Sequence, residues 1–461
     1  MDEAFLRIID EKSSLLDGLA DYIWDHPETA FTEYASAARY CEVLRAEGFT
    51  VTENLAGIAT AFSGSYGSGK PVIGLLGEFD ALSGLGQVSG ALEPQPDGKP
   101  CGHGCGHNLL GVAALGAAIA VKEFLRTSGT PGTVIFFGCP GEEGGSGKSF
   151  MARDGVFDQL DAALTWHPED HTGVRTLRTL ANCQVRFCFD GVASHAAEAP
   201  CAGRSALDAA ELMNIGVQFL REHMPDSARI HYALTDSGGF SPNVVQPHAE
   251  EIYLIRGEDN RTVQELYSRV CDIAAGAALM TGTKEHHIFL KACSNTVPNT
   301  ALQRLLQEKL DRFAPPEPTE EDLRYARALT KGTLVGVPDA DPEEPIFRGV
   351  NPYHEEEPLR CSSTDVGDVS WVCPTAQIHV ATVVKGTPGH SWQMVAQGKL
   401  PLAHRRMRYT SKILGAAAAE LFVRPDLLEA AWAELRRRTG PAGYQPPIPP
   451  DLRPTAMQQP R

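Results

Sequence analysis

The chain has 461 residues, a length that predicts two to four domains. Lys and Arg total 41 against 58 Asp and Glu, and the formal net charge of −17 argues against a general binder of nucleic acid or of anionic membranes, which needs basic surface. No apolar run reaches the roughly 18–20 residues of a membrane span, and the acidic, amphipathic N-terminus is unlike a signal peptide. Eleven irregularly spaced cysteines, an odd number, predict reduced thiols and a cytoplasmic location.

The first predicted elements in chain order are a helix and a strand–helix–strand unit. Residues 3–24 carry apolar positions at helical spacing. Apolar runs that end in glycine, at 72–77 and 133–138, predict buried strands, with a weaker run of this kind at 161–166, and the Ala- and Leu-rich stretch 107–126 between the first two predicts a helix. This order predicts an α/β fold with a mostly parallel sheet.

A second kind of pattern begins near residue 183. Strand-like segments at 183–190, 229–236, 250–256 and 284–292 enclose two helical stretches, 204–222 and 261–281. The resulting β-α-β-β-α-β order predicts an α+β ferredoxin-like domain. Because βα character resumes after it, we expect an inserted domain at 183–292 within a catalytic domain made of 1–182 and 293–439.

Two segments fall outside this pattern. Residues 314–360 are rich in Pro and Glu and predict a long excursion with one short helix at 319–330. Residues 440–461 are Pro-rich and poor in core residues, so we expect a disordered tail.

The densest group of potential metal ligands is the run CGHGCGH, which contains Cys101, His103, Cys105 and His107. Thiolate and imidazole suit zinc and similar divalent ions, and the intervening glycines allow the side chains to converge. A glycine-rich turn with incidental Cys and His is the alternative. One site cannot use all four ligands with good geometry, so we expect Cys105 and His107 to bind and the other two to be additional.

Two adjacent carboxylates, Glu142 and Glu143, follow the predicted strand at 133–138. In open α/β sheets, ligands lie at the carboxyl ends of the strands. Adjacent side chains point in different directions, so Glu143 can bind a metal while Glu142 handles a proton. A surface acidic turn is the alternative interpretation.

Three more candidates follow predicted strands of the same sheet. His167 ends the run at 161–166, His390 follows a strand at 376–384, and Asp80 follows the strand at 72–77. Asp80 is expected to orient a ligand histidine, or else to cap a turn.

Taken together, Cys105, His107, Glu143, His167 and His390 predict a site for two divalent metal ions, Zn or Mn, that activates water for amide hydrolysis. Glu142 is the expected general base.

Eight motifs in order resemble the M20 metallopeptidase/amidohydrolase family, and within it the aminobenzoyl-glutamate hydrolases and N-acyl-amino-acid amidohydrolases. They are GEFDAL, CGHGCGHNLLG, GCPGEEGGSGK, TWHPED, SHAAEAPCAGRSALDA, NVVQPHAEEIYLIR, SSTDVGDVSW and GTPGHSWQ. The resemblance implies a di-metal catalytic domain with an inserted dimerisation domain. It supports the five metal positions and Glu142 as the base. Many relatives have a metal-binding histidine where this chain has Glu78, so the resemblance does not support a direct ligand at position 78, and the Cys105 thiolate would compensate.

In the inserted domain, the resemblance implies roles for three residues. His195 would stabilise the tetrahedral intermediate in the partner subunit, while Asn243 and Arg256 would hold the substrate carboxylate.

The expected substrate is therefore a small amide with a free carboxylate, such as an N-acyl or N-aroyl amino acid. The expected assembly is a homodimer, with or without a second subunit. A dipeptidase, a metal- or thiol-binding protein and a non-catalytic partner subunit are the alternatives.

Overall fold

The computed structural model describes residues 3–456, and these fall into two units. The first unit comprises 3–177, Val297–Pro358 and Val369–Gln445. The second unit comprises Arg178–Thr296, Leu359–Asp368 and 446–456.

The helices and strands are numbered in chain order. The helices are α1 Arg7–Glu11, α2 Ser13–Asp25, α3 Tyr34–Ala46, α4 His107–Ser128, α5 Glu142–Gly145, α6 Gly147–Arg153, α7 Ala206–Leu220, α8 Asn260–Thr281, α9 Thr300–Arg312, α10 Glu320–Thr333, α11 Val366–Val372, α12 Trp392–Gln397, α13 Pro401–Leu421 and α14 Pro425–Thr439. The strands are β1 Thr50–Glu53, β2 Phe62–Ser68, β3 Val72–Glu78, β4 Leu82–Ser83, β5 Cys101–Gly102, β6 Gly132–Cys139, β7 Ala162–Glu169, β8 Gly173–Val174, β9 Arg178–Thr179, β10 Ala181–Asp190, β11 Arg229–Asp236, β12 His248–Gly257, β13 Lys284–Cys293, β14 Leu359–Arg360 and β15 Thr375–Ala381.

The first unit is built on a seven-stranded sheet in the order β1-β2-β6-β3-β7-β15-β8. The four central strands, β6, β3, β7 and β15, run parallel, and antiparallel strands flank them on both sides. Every residue of β3 and of β15 is buried, as is typical of parallel strands that are covered on both faces. This confirms the predicted α/β class with a mostly parallel central sheet.

Helix α4 lies in the core of the first unit, against β3 and α13. Its small Ala and Gly residues allow close packing, and its side chains are buried on nearly every side from His107 to Val121. By length and composition α4 could cross a bilayer, but 89% of its most apolar stretch is buried inside the protein. An interior helix of this kind is weak evidence for a membrane span.

The second unit contains a four-stranded antiparallel sheet in the order β11-β12-β10-β13, with α7 and α8 packed on it. In chain order its elements are β10, α7, β11, β12, α8 and β13. This is the β-α-β-β-α-β order that the sequence predicts.

Several boundaries differ from the sequence prediction. The strand expected at 161–166 continues to Glu169, so His167 lies within β7 rather than after it. The helix expected near 392–422 is two helices, because Pro401 starts a new one. In the predicted tail, 440–456 contain no helix or strand but Ile448 is buried, and 457–461 lie outside the described residues.

Candidate metal centre

The candidate residues of the first unit come from the carboxyl ends of the four parallel strands. Glu78 ends β3, Glu142 and Glu143 follow β6, His167 lies near the end of β7, and His390 follows β15. Parallel strands place these ends at one edge of the sheet, where open α/β folds bind ligands.

The ligand run enters α4 through a tight turn at Gly106. This residue has φ of 76°, and a Cβ atom there would lie 2.9 Å from Cβ of Pro168, so only glycine fits without a shift. Cys105 and His107 therefore lie on either side of Gly106, at the start of α4. The Cys105 Sγ atom lies 3.2 Å from Nε2 of His167.

His390 is held against the same loop by backbone contacts. Its N–H donates to the carbonyl of Gly104 at 2.9 Å, and its φ of 55° lies in the left-handed region that non-glycine residues seldom adopt. Such strain concentrates at functional sites. Its Nε2 atom lies 2.9 Å from Oε1 of Glu143, although the side chain is 56% exposed.

Among the described residues, four groups of side chains bring their ligand atoms within 4.8 Å of one another, and one of them is Glu169 with Asp170 and His171. The three that contain the candidate residues are Cys105 with His107 and His167, Cys105 with Glu143 and His390, and Glu78 with His107 and Glu142. Two ligand atoms at about 2.0–2.3 Å from one ion are at most about 4.6 Å apart, so these spacings are close to those of a coordination sphere. The donors are one thiol, three imidazoles and three carboxylates, a set that fits zinc or manganese. The residues therefore fit a metal centre, and Cys105 is common to two of the groups.

Asp80 is fully buried and links two of these residues. Its Oδ1 lies 3.0 Å from Nδ1 of His107, and its Oδ2 accepts a hydrogen bond from the backbone N–H of Glu143 at 2.7 Å. Burial raises the pKa of the Asp80 carboxyl, but the hydrogen bond and charge of His107 outweigh it, and the pKa is lowered overall. An ionised Asp80 fixes the His107 ring with Nε2 turned away, toward Glu78.

The ligand histidines His167 and His390 differ in the direction of their pKa shifts. Burial and the nearby charge of His107 lower the pKa of His167 to about 3, so its imidazole is neutral and its Nε2 lone pair is available to a metal. His390 behaves in the opposite way, because its hydrogen bond to Glu143 raises its pKa. Burial raises the pKa of the Cys105 thiol well above its usual value.

Glu78, which the resemblance does not support as a direct ligand, nevertheless lies inside this cluster. Its Oε2 is 3.3 Å from Nε2 of His107, and its Oε1 is 2.7 Å from Nζ of Lys148. The Lys148 side chain is completely buried. Sequence reasoning missed Lys148, because a lone Lys after the GEEGGSG turn carries no ligand signal.

The loop that carries Glu142 is anchored by Glu33, which sequence reasoning also missed. Glu33 is buried, its Oε1 accepts from the N–H of Gly141 at 2.8 Å, and its Oε2 accepts from Thr60 Oγ1 at 2.9 Å. Gly141 has φ of 66°, and a Cβ atom there would lie 2.8 Å from the Phe31 ring. The backbone of Glu143 leaves helical geometry at ψ 89°, which separates the directions of the two adjacent carboxylates.

Cys101 and His103 point to backbone carbonyls instead of joining these groups. Cys101 Sγ donates to the Pro27 carbonyl at 2.9 Å, and His103 Nε2 lies 3.1 Å from the Ile23 carbonyl oxygen. Both contacts tie the ligand loop to the α2 region, at the end of the helix and just after it.

The three remaining candidates belong to the second unit. His195 lies in a short bridge with Val244, and its Nδ1 accepts from the N–H groups of Ala197 and Glu198 at 3.2 and 3.1 Å. Asn243 is exposed on the neighbouring loop. Arg256 Nη1 donates to Ser363 Oγ at 2.9 Å.

Solved structures share this fold. An aminobenzoyl-glutamate utilization protein from Klebsiella pneumoniae aligns over 87% of this chain and 97% of its own, with a TM-score of 0.58 and 17% identity. A dinuclear metal binding peptidase of the M20 family from Bacillus subtilis aligns over 90% of this chain and 99% of its own, with a TM-score of 0.57 and 15% identity. At these identities the likeness is one of fold.

Sequence comparison gives closer relatives. One of the p-aminobenzoyl-glutamate hydrolase subunits of Escherichia coli K12 is 47% identical, over 95% of this chain and 96% of its own length. The Xaa-Arg dipeptidase of Mus musculus is 27% identical, over 93% of this chain and 90% of its own. The profile of peptidase family M20/M25/M40 matches residues 74–357. The chain therefore belongs to peptidase family M20/M25/M40 and is a hydrolase of amide bonds.

Proposed function

We propose that the protein hydrolyses the amide bond of an N-acyl or N-aroyl amino acid, with an aminobenzoyl-glutamate-like amide as the main substrate class. The observation that carries this proposal is the meeting of Cys105, His107, His167, Glu143 and His390 with Glu142 at one edge of the sheet. The 47% identity to a p-aminobenzoyl-glutamate hydrolase chain supports the aroyl-glutamate class.

The five residues Cys105, His107, Glu143, His167 and His390 would hold two divalent ions, Zn or Mn. When bound, such ions polarise the substrate carbonyl and lower the pKa of water. Asp80 keeps the ring of His107 in one orientation and holds the backbone of Glu143. These contacts keep the ligand atoms in place without help from the substrate.

Glu142 is the proposed proton carrier. Its carboxylate belongs to the group with Glu78 and His107, and its loop is held by Glu33 through Gly141. From there it accepts the proton of the attacking water at a carboxylate oxygen and delivers it to the leaving nitrogen. Donation to the nitrogen turns a poor amide leaving group into a free amine.

Three residues of the second unit are proposed to act on the substrate. Asn243 and Arg256 would bind its carboxylate, and His195 would donate a hydrogen bond to the developing oxyanion in the partner subunit of a homodimer. His195→Ala is expected to leave a folded dimer with much lower turnover.

A homodimer is supported by apolar side chains on the surface of the second unit. Ile215 and Phe219 on α7 and Leu279 and Met280 on α8 are each more than half exposed. The two helices pack against each other, and exposed apolar side chains on neighbouring elements are typical of association surfaces. Two of the relatives are named as different subunits of one hydrolase. An assembly that also contains a second, different subunit is therefore compatible with the comparison.

We propose a cytoplasmic location because the cysteines are free thiols. All eleven are free thiols, and most of them are buried. Free thiols on this scale suit a reducing compartment.

The substrate proposal is tested by a panel of N-acyl and N-aroyl amino acids and of dipeptides, assayed with protein loaded with Zn or with Mn. The proposal expects the highest kcat/KM on N-aroyl amino acids with an acidic side chain. Turnover of dipeptides alone would favour the dipeptidase alternative.

A further inference from the structure

Arg175 lies in the first unit, directly after β8, and its backbone is held on both sides. Its N–H donates to the Gln377 carbonyl at 2.9 Å, and its carbonyl accepts from Gln303 Nε2 at 3.2 Å. Among residues 3–456, no carboxylate lies within ion-pair distance of its guanidinium. Its Nε–H is shut off from solvent and has no hydrogen-bond partner in this described part of the chain.

The guanidinium contacts one end of a chain of polar side chains. Nη1 of Arg175 lies 3.5 Å from Nε2 of His379, whose Nδ1 is 3.2 Å from Nε2 of His171. Nδ1 of His171 is in turn 3.0 Å from Oδ1 of Asp170. Since Arg can only donate, His379 accepts at Nε2 and donates from Nδ1, which fixes its tautomer. These contacts position the guanidinium, and among residues 3–456 Nη1 is its one nitrogen with a hydrogen-bond partner.

This position adjoins the candidate metal centre. His379 stands opposite His167 in the register of β15 and β7, and the two ring centroids are 6.2 Å apart. Burial lowers the pKa of Arg175, while the carboxylates of Glu169, Glu142 and Glu78 raise it, so Arg175 lies within reach of the charges of the centre. It remains a cation, because the guanidinium does not lose its proton in proteins.

A half-buried cation with a donor that lacks a partner costs free energy unless a ligand completes it. The fork of N–H groups matches a carboxylate, which can take two hydrogen bonds at once. The α-carboxylate of the substrate is already assigned to Asn243 and Arg256 in the proposed function. The carboxylate left for Arg175 is then the one in the side chain of a dicarboxylic amino acid.

We propose that Arg175 binds this side-chain carboxylate and so makes the enzyme selective for amides of glutamate or aspartate. The inference rests on the proposed function, whose substrate class it narrows. It assigns a substrate-binding role to the catalytic unit itself.

The test compares 4-aminobenzoyl-glutamate with 4-aminobenzoyl-glutamine, which differ by one charge at nearly constant shape. The metal-loaded wild-type protein, Arg175→Gln and Arg175→Lys are assayed with both. Arg126→Gln is the matched control, because Arg126 is an exposed arginine of the same unit. Calorimetric binding of glutarate and of its monoamide to the same proteins gives a readout that needs no turnover.

The wild type is expected to prefer the glutamate substrate in kcat/KM by about 10–100-fold, the range that a charged hydrogen bond contributes. Arg175→Gln is expected to remove that preference while the glutamine substrate changes by less than about threefold. Arg175→Lys should keep part of it, and Arg126→Gln all of it. Glutarate affinity is expected to fall toward that of the monoamide in Arg175→Gln.

A glutamate preference that survives in Arg175→Gln, or an equal loss on both substrates, would overturn the assignment. If the wild type hydrolyses neither substrate, the proposed function fails. The calorimetric affinity for glutarate then tests separately whether Arg175 binds a carboxylate. Glutarate binding that is weakened in Arg175→Gln but not in Arg126→Gln would keep the carboxylate site, and equal binding in all four proteins would remove it.

Discussion

Asp80 contacts His107 through one carboxylate oxygen and the backbone of Glu143 through the other, at 3.0 and 2.7 Å. One buried side chain therefore sets the orientation of an imidazole ligand and the position of a carboxylate ligand. Both contacts are needed to hold the two ligands of the metal centre in place.

Replacing Asp80 tests this link. Asp80→Ala frees the His107 ring and the N–H of Glu143, so we expect metal affinity and turnover to fall by about 10–100-fold each, the range seen when a partner of a ligand is lost. Metal titration followed by assay at saturating metal separates the two effects. Asp25→Asn, a change at an exposed aspartate of the same unit, should alter neither. Wild-type affinity in Asp80→Ala would show that His107 needs no orienting partner.

The buried pair of Lys148 and Glu78 leads to a stability prediction. Lys148→Met leaves the Glu78 carboxylate buried beside His107 without its cation, and breaking a buried pair in this way costs about 3–5 kcal/mol. We expect the urea midpoint of unfolding to fall accordingly. The double variant Lys148→Met/Glu78→Gln should recover most of the loss, because the side chain at position 78 is then neutral. A double variant as unstable as the single one would assign the loss to packing.

Glu33 gives a prediction about pH. Burial, with a smaller contribution from the charge of Asp80, raises the pKa of Glu33 from 4.5 to about 8. The folded state then binds the proton more tightly than the unfolded state, so the free energy of unfolding falls as pH rises from about 4.5 to 8. Glu33→Gln cannot ionise, and its amide oxygen can still accept from Gly141.

The measurement is the free energy of unfolding of the metal-free protein at pH 5 and pH 8. Relative to the wild type, Glu33→Gln is expected to gain about 2–4 kcal/mol between these pH values. Glu42→Gln, a change at an exposed glutamate of α3, should follow the wild type. A pH slope in Glu33→Gln equal to that of the wild type would contradict the raised pKa.

The sequence predicts the central strands and both halves of the ferredoxin-like order because their periodicity and glycine ends are strong. It misses α3, β1 and β2, since α3 is rich in Ala and polar residues and the strand residues of β1 are mostly exposed. Ligand types spaced by glycine, as at Cys105 and His107, are visible in the sequence. Supporting residues such as Glu33 are not, because they act through contacts between residues far apart in the chain.

In the proposed reaction Glu142 carries the proton while other residues hold the metals. The most direct test is to count the metals bound by Glu142→Gln and to measure its kcat on the best substrate of the panel. We expect wild-type metal content and a kcat lower by about 10²–10⁴-fold, the contribution typical of general acid–base catalysis. A Glu142→Gln protein with full metal content and wild-type kcat would contradict this role of Glu142.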